Sequence, residues 1–276
     1  MNTYHAALSP SRVNDFRQCP LKFRFRVIDQ LPEPPSTAAL RGTLVHAVLE
    51  HLFDLPYSLR TEENAQESLY TQWENLSKKD PALKELFADD TQFQKWFESA
   101  RPLLHQYFQI ENPQRLQPKG REQFVNALLP SGLAIRGIID RLDEAPNGDL
   151  RVVDYKTGKS PAPQYAREAH FQMQFYATAL FLEQGQLPKR TQLIYLGNGR
   201  VLTYDPVQFD VQQVIAQLDA IWEQITHRID LAHFEPKTGP LCNWCHFKNI
   251  CPAYQGVAPQ MSQSGIQKLL TAKRNK

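Results

Sequence analysis

The chain has 276 residues, room for one large domain or two small ones around a sizeable buried core. Its 42% hydrophobic and 22% charged residues exclude disordered and collagen-like classes. A net charge of only +2, from 31 basic against 29 acidic residues, excludes nucleic-acid binding through a whole-molecule positive field and leaves only local patches.

No apolar run is long enough to cross a bilayer, so no membrane partner is expected. The opening segment to Pro10 lacks both a basic and an apolar region, so no secretory signal is expected and the cytoplasm is the expected compartment. Four cysteines in so long a chain do not make a disulfide scaffold; in a reducing compartment, clustered cysteines more often hold metal.

Ser9 followed by Pro10 predicts a helix start, with a stop near Cys19-Pro20. From Phe16 to Ile28 stand four cations, Arg17, Lys22, Arg24 and Arg26, and no acid. Such a run is either a solvated face or a phosphate contact. Lys22, Arg24 and Arg26 are therefore DNA-binding candidates, and Phe23 and Phe25 are stacking surfaces if exposed and core if not. Apolar spacing predicts helices at 38–53, 62–77 and 91–110, the last bent at Pro102. Near residue 120 the texture turns to short β-branched runs, predicting strands at 123–129, 133–142 and 150–156, with Asn147-Gly148 closing a hairpin. A helix at 167–183 follows, ending near Gly185. Then come strands at 192–196 and 201–204 around Gly197-Asn198-Gly199, and a long helix at 209–231. The tail after Gly256 carries Lys268, Lys273, Arg274 and Lys276 without an acid.

The division expected is a helical region at 1–118, a small α/β core at 119–235, a cysteine loop at 236–255, and a basic tail at 256–276 for which flexibility is one option. Thr157-Gly158-Lys159-Ser160 imitates the end of a P-loop, but the glycine needed five positions before Gly158 is Val153. Any helicase working with this chain is therefore another polypeptide.

The most informative stretch is Asp140, then Asp154-Tyr155-Lys156. Residues two apart on a strand share a face, so Asp154 and Lys156 project together, with Asp140 beside them across the hairpin. Converging carboxylates suit a hard cation, Mg²⁺ or Mn²⁺, and a neighbouring lysine can orient or deprotonate a water or neutralise a phosphate. The plainer alternative is a hairpin with solvated charges.

Asp140 followed by Asp154-Tyr-Lys156 resembles the signature of the PD-(D/E)XK nucleases, with Ile139 where the usual proline stands. The RecB-like branch of that superfamily commonly shows this departure. His46, within Arg41-Gly-Thr-Leu-Val-His46, resembles its helix-borne metal ligand, and Gln172 with Tyr176 resembles its Gln-x-x-x-Tyr motif. The resemblance implies a restriction-endonuclease-like α/β fold, a small mixed sheet flanked by helices. It also implies an Mg²⁺ or Mn²⁺ site of His46, Asp140, Asp154 and the Tyr155 carbonyl. Lys156 would activate water, and Gln172 and Tyr176 would hold DNA or Lys156. Glu122 resembles an acid on the preceding strand and is expected only as outer support.

Cys242-x-x-Cys245-x5-Cys251 with the distant Cys19 suits a tetrahedral metal or a [4Fe–4S] cluster. Structural Zn²⁺, with His246 as a substitute ligand, is one reading, and c-type haem at Cys242-Asn-Trp-Cys245-His246 is disfavoured without export. The AddB-type and CRISPR-associated subset of RecB-like nucleases has this four-cysteine layout, with the first cysteine in a Phe-x-x-Cys-Pro context, here Phe16 to Pro20. That likeness implies the iron–sulfur cluster. The function expected is a metal-dependent DNA exonuclease acting on single strands or ends in repair or recombination. A CRISPR adaptation-type trimming nuclease and a non-cutting DNA-binding scaffold in a helicase–nuclease complex are the alternatives.

Overall fold

The computed structural model describes residues 6–274, so Lys276 of the basic tail and the first five residues lie outside the described residues. Helix α1 (Pro10–Gln18) starts as expected, Ser9 accepting from the Arg12 amide with Pro10 in the first turn. Pro20 then opens α2 (Pro20–Phe23), which runs into a π-helical turn, Arg24–Ile28. Helices α3 (Thr37–Leu52) and α4 (Glu62–Lys79) match the apolar spacing. The predicted bent helix is instead two, α5 (Asp90–Glu98) and α6 (Arg101–Ile110). Proline is tolerated in a first turn but disrupts a helix interior, so Pro102 begins α6 rather than bending a longer one.

The strands are β1 (Pro118–Leu128), β2 (Ala134–Glu144), β3 (Leu150–Lys156), β4 (Arg190–Tyr195) and β5 (Arg200–Tyr204). They form one mixed sheet in the order β1-β2-β3-β4-β5, antiparallel except for the parallel β3–β4 pair. A parallel pair needs a crossover, supplied by α7 (Arg167–Gln184), which ends on Gly185 in the left-handed conformation. Helix α8 (Gln208–Asp230) leads to the cysteine loop.

Two cores flank the sheet. One joins Val13, Phe23 and Phe25 to Val152, α7, α8 and Phe247; the other joins α3, α4 and α6 to Val153, Tyr155 and Ile194. Alternate residues of β3 thus serve opposite layers, as the two-residue strand period requires. The described part of the basic tail packs onto the fold. It forms α9 (Gln263–Leu270), whose Ile266 and Leu269 join the first core. Among the described residues no helix is long and apolar enough to cross a membrane.

Candidate active site

The site is built where the middle of β2 meets the end of β3, beside α3 and α7. Register places Arg141 opposite Val153, which carries Asp140 to the level of Asp154. The Asp140 Oδ2 accepts the Tyr155 amide at 2.6 Å, so β3's backbone fixes that carboxylate. From α3, His46 Nε2 meets the Tyr155 carbonyl at 3.1 Å, and its Nδ1 stands 3.5 Å from Asp140 Oδ2. A carbonyl only accepts, so Nε2 carries a proton and the Nδ1 lone pair of a neutral His46 faces a carboxylate oxygen. Two acceptors so placed repel unless a proton or a cation lies between them. Ligand atoms on one ion with bonds of about 2.1 Å stand about 3–4 Å apart, so this pair fits a divalent cation.

The third member of the group is Glu122. Ligand atoms of His46, Glu122 and Asp140 all lie within 4.8 Å of one another. Glu122, expected only as outer support, thus stands with His46 and Asp140 in a group whose ligand atoms are close enough to share an ion, and Asp154 is not one of the three. Arg121 pairs with Arg141 and Gln123 with Ile139, so Glu122 falls opposite Asp140. Its φ of 44° is left-handed, a strained conformation for a residue with a Cβ, of the kind that collects at functional sites.

Asp154 is buried. Its Oδ1 accepts from Gln172 Nε2 at 3.0 Å and from the Tyr176 hydroxyl at 3.2 Å. Its Oδ2 meets the Lys156 ammonium at 2.5 Å but has no donor in hydrogen-bond alignment. Gln172 and Tyr176 lie one helical turn apart on α7, and Gln172 also donates to the Tyr176 hydroxyl at 3.1 Å. Gly137 admits this arrangement, because a Cβ there would lie 2.8 Å from the Tyr176 ring.

The electrostatics are those of crowded acids. Burial, then the Asp140 charge, pushes the Glu122 carboxyl up to about 7. Burial also raises Asp154, opposed by Lys156. For His46, burial acts downward, but the hydrogen bond and charge of Asp140 outweigh it and raise the imidazole. Lys156 is likewise raised, burial being outweighed by Asp154. Each raised group binds its proton more tightly in the native than in the unfolded chain, so stability is present at low pH and is lost as pH rises through the native values. The metal-free protein, in EDTA, should therefore melt at progressively lower temperature between about pH 5.5 and 8, with a shallower decline in Glu122→Gln. A melting temperature level across that window, or identical slopes for both proteins, would show that the acids are not crowded.

Tyr155 is anchored from behind by a residue the sequence did not single out. Arg141, 1% exposed, donates to the Tyr155 hydroxyl at 2.5 Å and to Glu111 at 2.7 and 2.9 Å. It also donates to Asp143 at 3.0 and 3.2 Å. The only sequence signal was an arginine inside an apolar strand between Asp140 and Leu142.

In the structure the cationic patch is paired with acids. Lys22 pairs with Asp15 at 3.0 Å, Arg24 with Asp29 at 2.9 Å, and Arg26 with Asp15 and Glu33 at 2.8 and 2.6 Å. The acids lie just outside the acid-free run, and folding returns them to it. Arg24 is 8% exposed, and Phe23 and Phe25 are core rather than stacking surfaces.

The four cysteines, all free thiols, line one cavity of about 650 Å³. The Lys237 amide donates to Cys19 Sγ at 3.4 Å, and the Leu21 amide to the Glu235 carbonyl at 3.3 Å, so the segment after α8 is drawn onto α1 and α2.

Among known proteins, the chain is 23% identical over 288 residues to the Gene 69 protein of Mycobacterium phage D29, covering 90% of this chain and 97% of that one. It is 28% identical over 142 residues to the Gene 69 protein of Mycobacterium phage L5, about half of each chain (50% and 47%). Its fold is similar to that of the crystal structure named "Putative exonuclease" from Eubacterium rectale, with a TM-score of 0.56 at 15% identity over 88% of both chains. The model of one family spans residues 7–252, taking in Asp140, the Asp154–Lys156 pair, His46 and the α7 motif together. With that match over a mixed sheet and flanking helices that gather these side chains, the chain belongs to the PD-(D/E)XK nuclease superfamily.

Proposed function

We propose that this protein is a divalent-metal-dependent DNA nuclease of the RecB-like kind, cutting single strands or working from an end in repair or recombination. The observation that carries this reading is the adjacency of a His46–Glu122–Asp140 ligand group to a buried Asp154–Lys156 pair. A bound Mg²⁺ or Mn²⁺ would supply charge stabilisation at the scissile phosphate and a water of lowered pKa. His46, Glu122 and Asp140 would hold it, with Asp154 Oδ2 next in line. The Tyr155 backbone orients two of these, donating to Asp140 and accepting from His46. Lys156 is raised by Asp154 and so is a cation at neutral pH. Its role is to orient the attacking water and to meet negative charge on the phosphate, rather than to take a proton. Gln172 and Tyr176 fix Asp154, and through it Lys156. An assay of end-labelled single-stranded DNA with Mg²⁺ or Mn²⁺ tests the reading. No hydrolysis by the metal-loaded wild type would leave the non-cutting scaffold instead.

We further propose that Cys19, Cys242, Cys245 and Cys251 hold a [4Fe–4S] cluster. Four thiolates around a single zinc at bonds of about 2.3 Å stand roughly 3.8 Å apart. Among the described residues no three cysteines bring their sulfurs within 4.8 Å of one another. Thiolates on four separate irons stand wider apart, which favours the cluster. The site would clasp the N-terminal helices to the segment after α8, closing a loop that is entropically costly for the chain alone. Cys19→Ala should lose iron and broad visible absorbance and lower the melting temperature by several degrees. Unchanged iron content and melting would remove the clasp, and zinc in the wild type would remove the cluster.

A further inference from the structure

A cleft of about 900 Å³ opens from the ligand group between α3 and α4. Its α3 wall is Ala39, Gly42, Thr43, His46, Ala47 and Glu50, small except at the end that meets Glu122. Its α4 wall is a mainly polar stripe, Gln72, Asn75 and Lys79 at helical spacing, with Leu76 and Lys78 beside it. Below lies the second core, where Leu44, Val48, Leu69 and Trp73 pack the two helices together. The acids thus stand at one end of the cleft and two lysines at the other. Two residues along from Glu122 and Asp140 are Phe124 and Ile138, paired across β1–β2 and 64% and 41% exposed. An exposed aromatic beside an aliphatic, two strand positions from Glu122 and Asp140, is a surface on which a flat group can rest.

We infer that these features form the track of one DNA strand: a base stacks on Phe124, the adjacent phosphate reaches the His46–Glu122–Asp140 group, and the continuing backbone passes between α3 and α4 to Lys78 and Lys79. This inference rests on the nuclease reading above and specifies its substrate. The axes of packed helices stand about 8–10 Å apart, so the furrow along the top of their contact is narrow and is on the scale of one strand's backbone lying over it. Duplex DNA, whose major groove alone is about 12 Å wide, stays outside. Stacking on Phe124 likewise needs a base whose face is free, and aromatic platforms beside cationic grooves are how unpaired strands are held without sequence preference. Lys78 pairs with Glu74 at 3.3 Å on its own exposed helix face, a link that a phosphate would have to share, and the plainer role for Lys78 and Lys79 is to complement the carbonyl end of α4, in whose last turn they lie.

The test measures binding of labelled oligothymidylate and of a duplex by the full chain across a salt series, with Ca²⁺ replacing Mg²⁺ to prevent cutting. Single strands should bind at least about tenfold more tightly than duplex. The double variant Lys78→Glu, Lys79→Glu should lower the slope of log K against log salt by about 1.4, the value for two single-strand phosphate contacts. Phe124→Ala should weaken binding about tenfold with the salt slope unchanged, since stacking carries no counterion. Thr43→Trp, filling the exposed α3 wall, should block cutting of oligomers while Mn²⁺ affinity stays within about threefold. Equal binding of duplex, or a lysine variant that melts earlier with an unchanged slope, overturns the track. The nuclease reading survives those outcomes if the wild type still cuts, whereas a wild type that cuts neither form removes both.

Discussion

Lys156→Ala should lower phosphodiester hydrolysis by about 10³-fold, within the range of about 10²–10⁴ typical for a positioned group that manages protons and charge. Mn²⁺ affinity should change little, because the His46, Glu122 and Asp140 ligand atoms do not depend on the ammonium. Asp154→Ala should cost at least as much, for two reasons. It removes the oxygen facing Lys156 at 2.5 Å, and it strips the acceptor from Gln172 and Tyr176. Lys156 then keeps its burial without the charge that offsets it, and its pKa falls. Lys156→Arg should not rescue, since a planar fork cannot occupy the place of a compact ammonium held against one carboxylate oxygen. Wild type and variants compared on end-labelled DNA, with single-turnover rates, give the result. Hydrolysis persisting in both alanine variants would assign the chemistry to other residues.

Arg141→Met should destabilise the fold by about 3–5 kcal/mol, the range for removing one partner of a buried ion pair. Glu111 and Asp143 would stay in place with their guanidinium gone, and Arg151, at 3.1 and 2.6 Å from them, offsets only part of the loss. Urea unfolding measures the change. Adding Glu111→Gln to Arg141→Met should recover part of the stability, because the two changes share one network. A loss below about 1 kcal/mol would mean that water reaches the guanidinium and that the pair counts as a surface one. The same variant also frees the Tyr155 ring from behind the strand whose backbone holds Asp140 and His46.

Much of the site was legible because strand geometry is strict. A period of two puts Asp154 and Lys156 together whatever surrounds them, and a helical turn puts Gln172 beside Tyr176. The hairpin at Asn147-Gly148 then fixes Asp140 near Asp154. The closeness of Glu122 to His46 and Asp140 was not legible because its backbone leaves the extended region, and no composition rule announces a left-handed glutamate. Arg141 was missed because a lone arginine in a strand carries no periodic signal; its partners are Glu111 just past α6, Tyr155 on β3 and Asp143 on its own strand, 30, 14 and two residues away. The pairing of the cationic run was hidden for a related reason. Charge read in a window ignores acids such as Asp15 and Glu33 just beyond it, which folding brings back. In the tail the charges drew attention from Ile266 and Leu269, whose helical spacing buries them.

The place of α9 in the first core bears on how the chain is made. Leu8 and Leu269 belong to the same cluster, and Gly265 lies so close to the Ile28 carbonyl that a Cβ would stand 1.9 Å from it. A ribosome adding about 5–20 residues per second needs tens of seconds to get from one to the other. Throughout that interval the emerging amino-terminal helices have no finished partner for their oily side. Chaperones that shield nascent chains would thus have a longer task here than in a protein whose core closes between near neighbours.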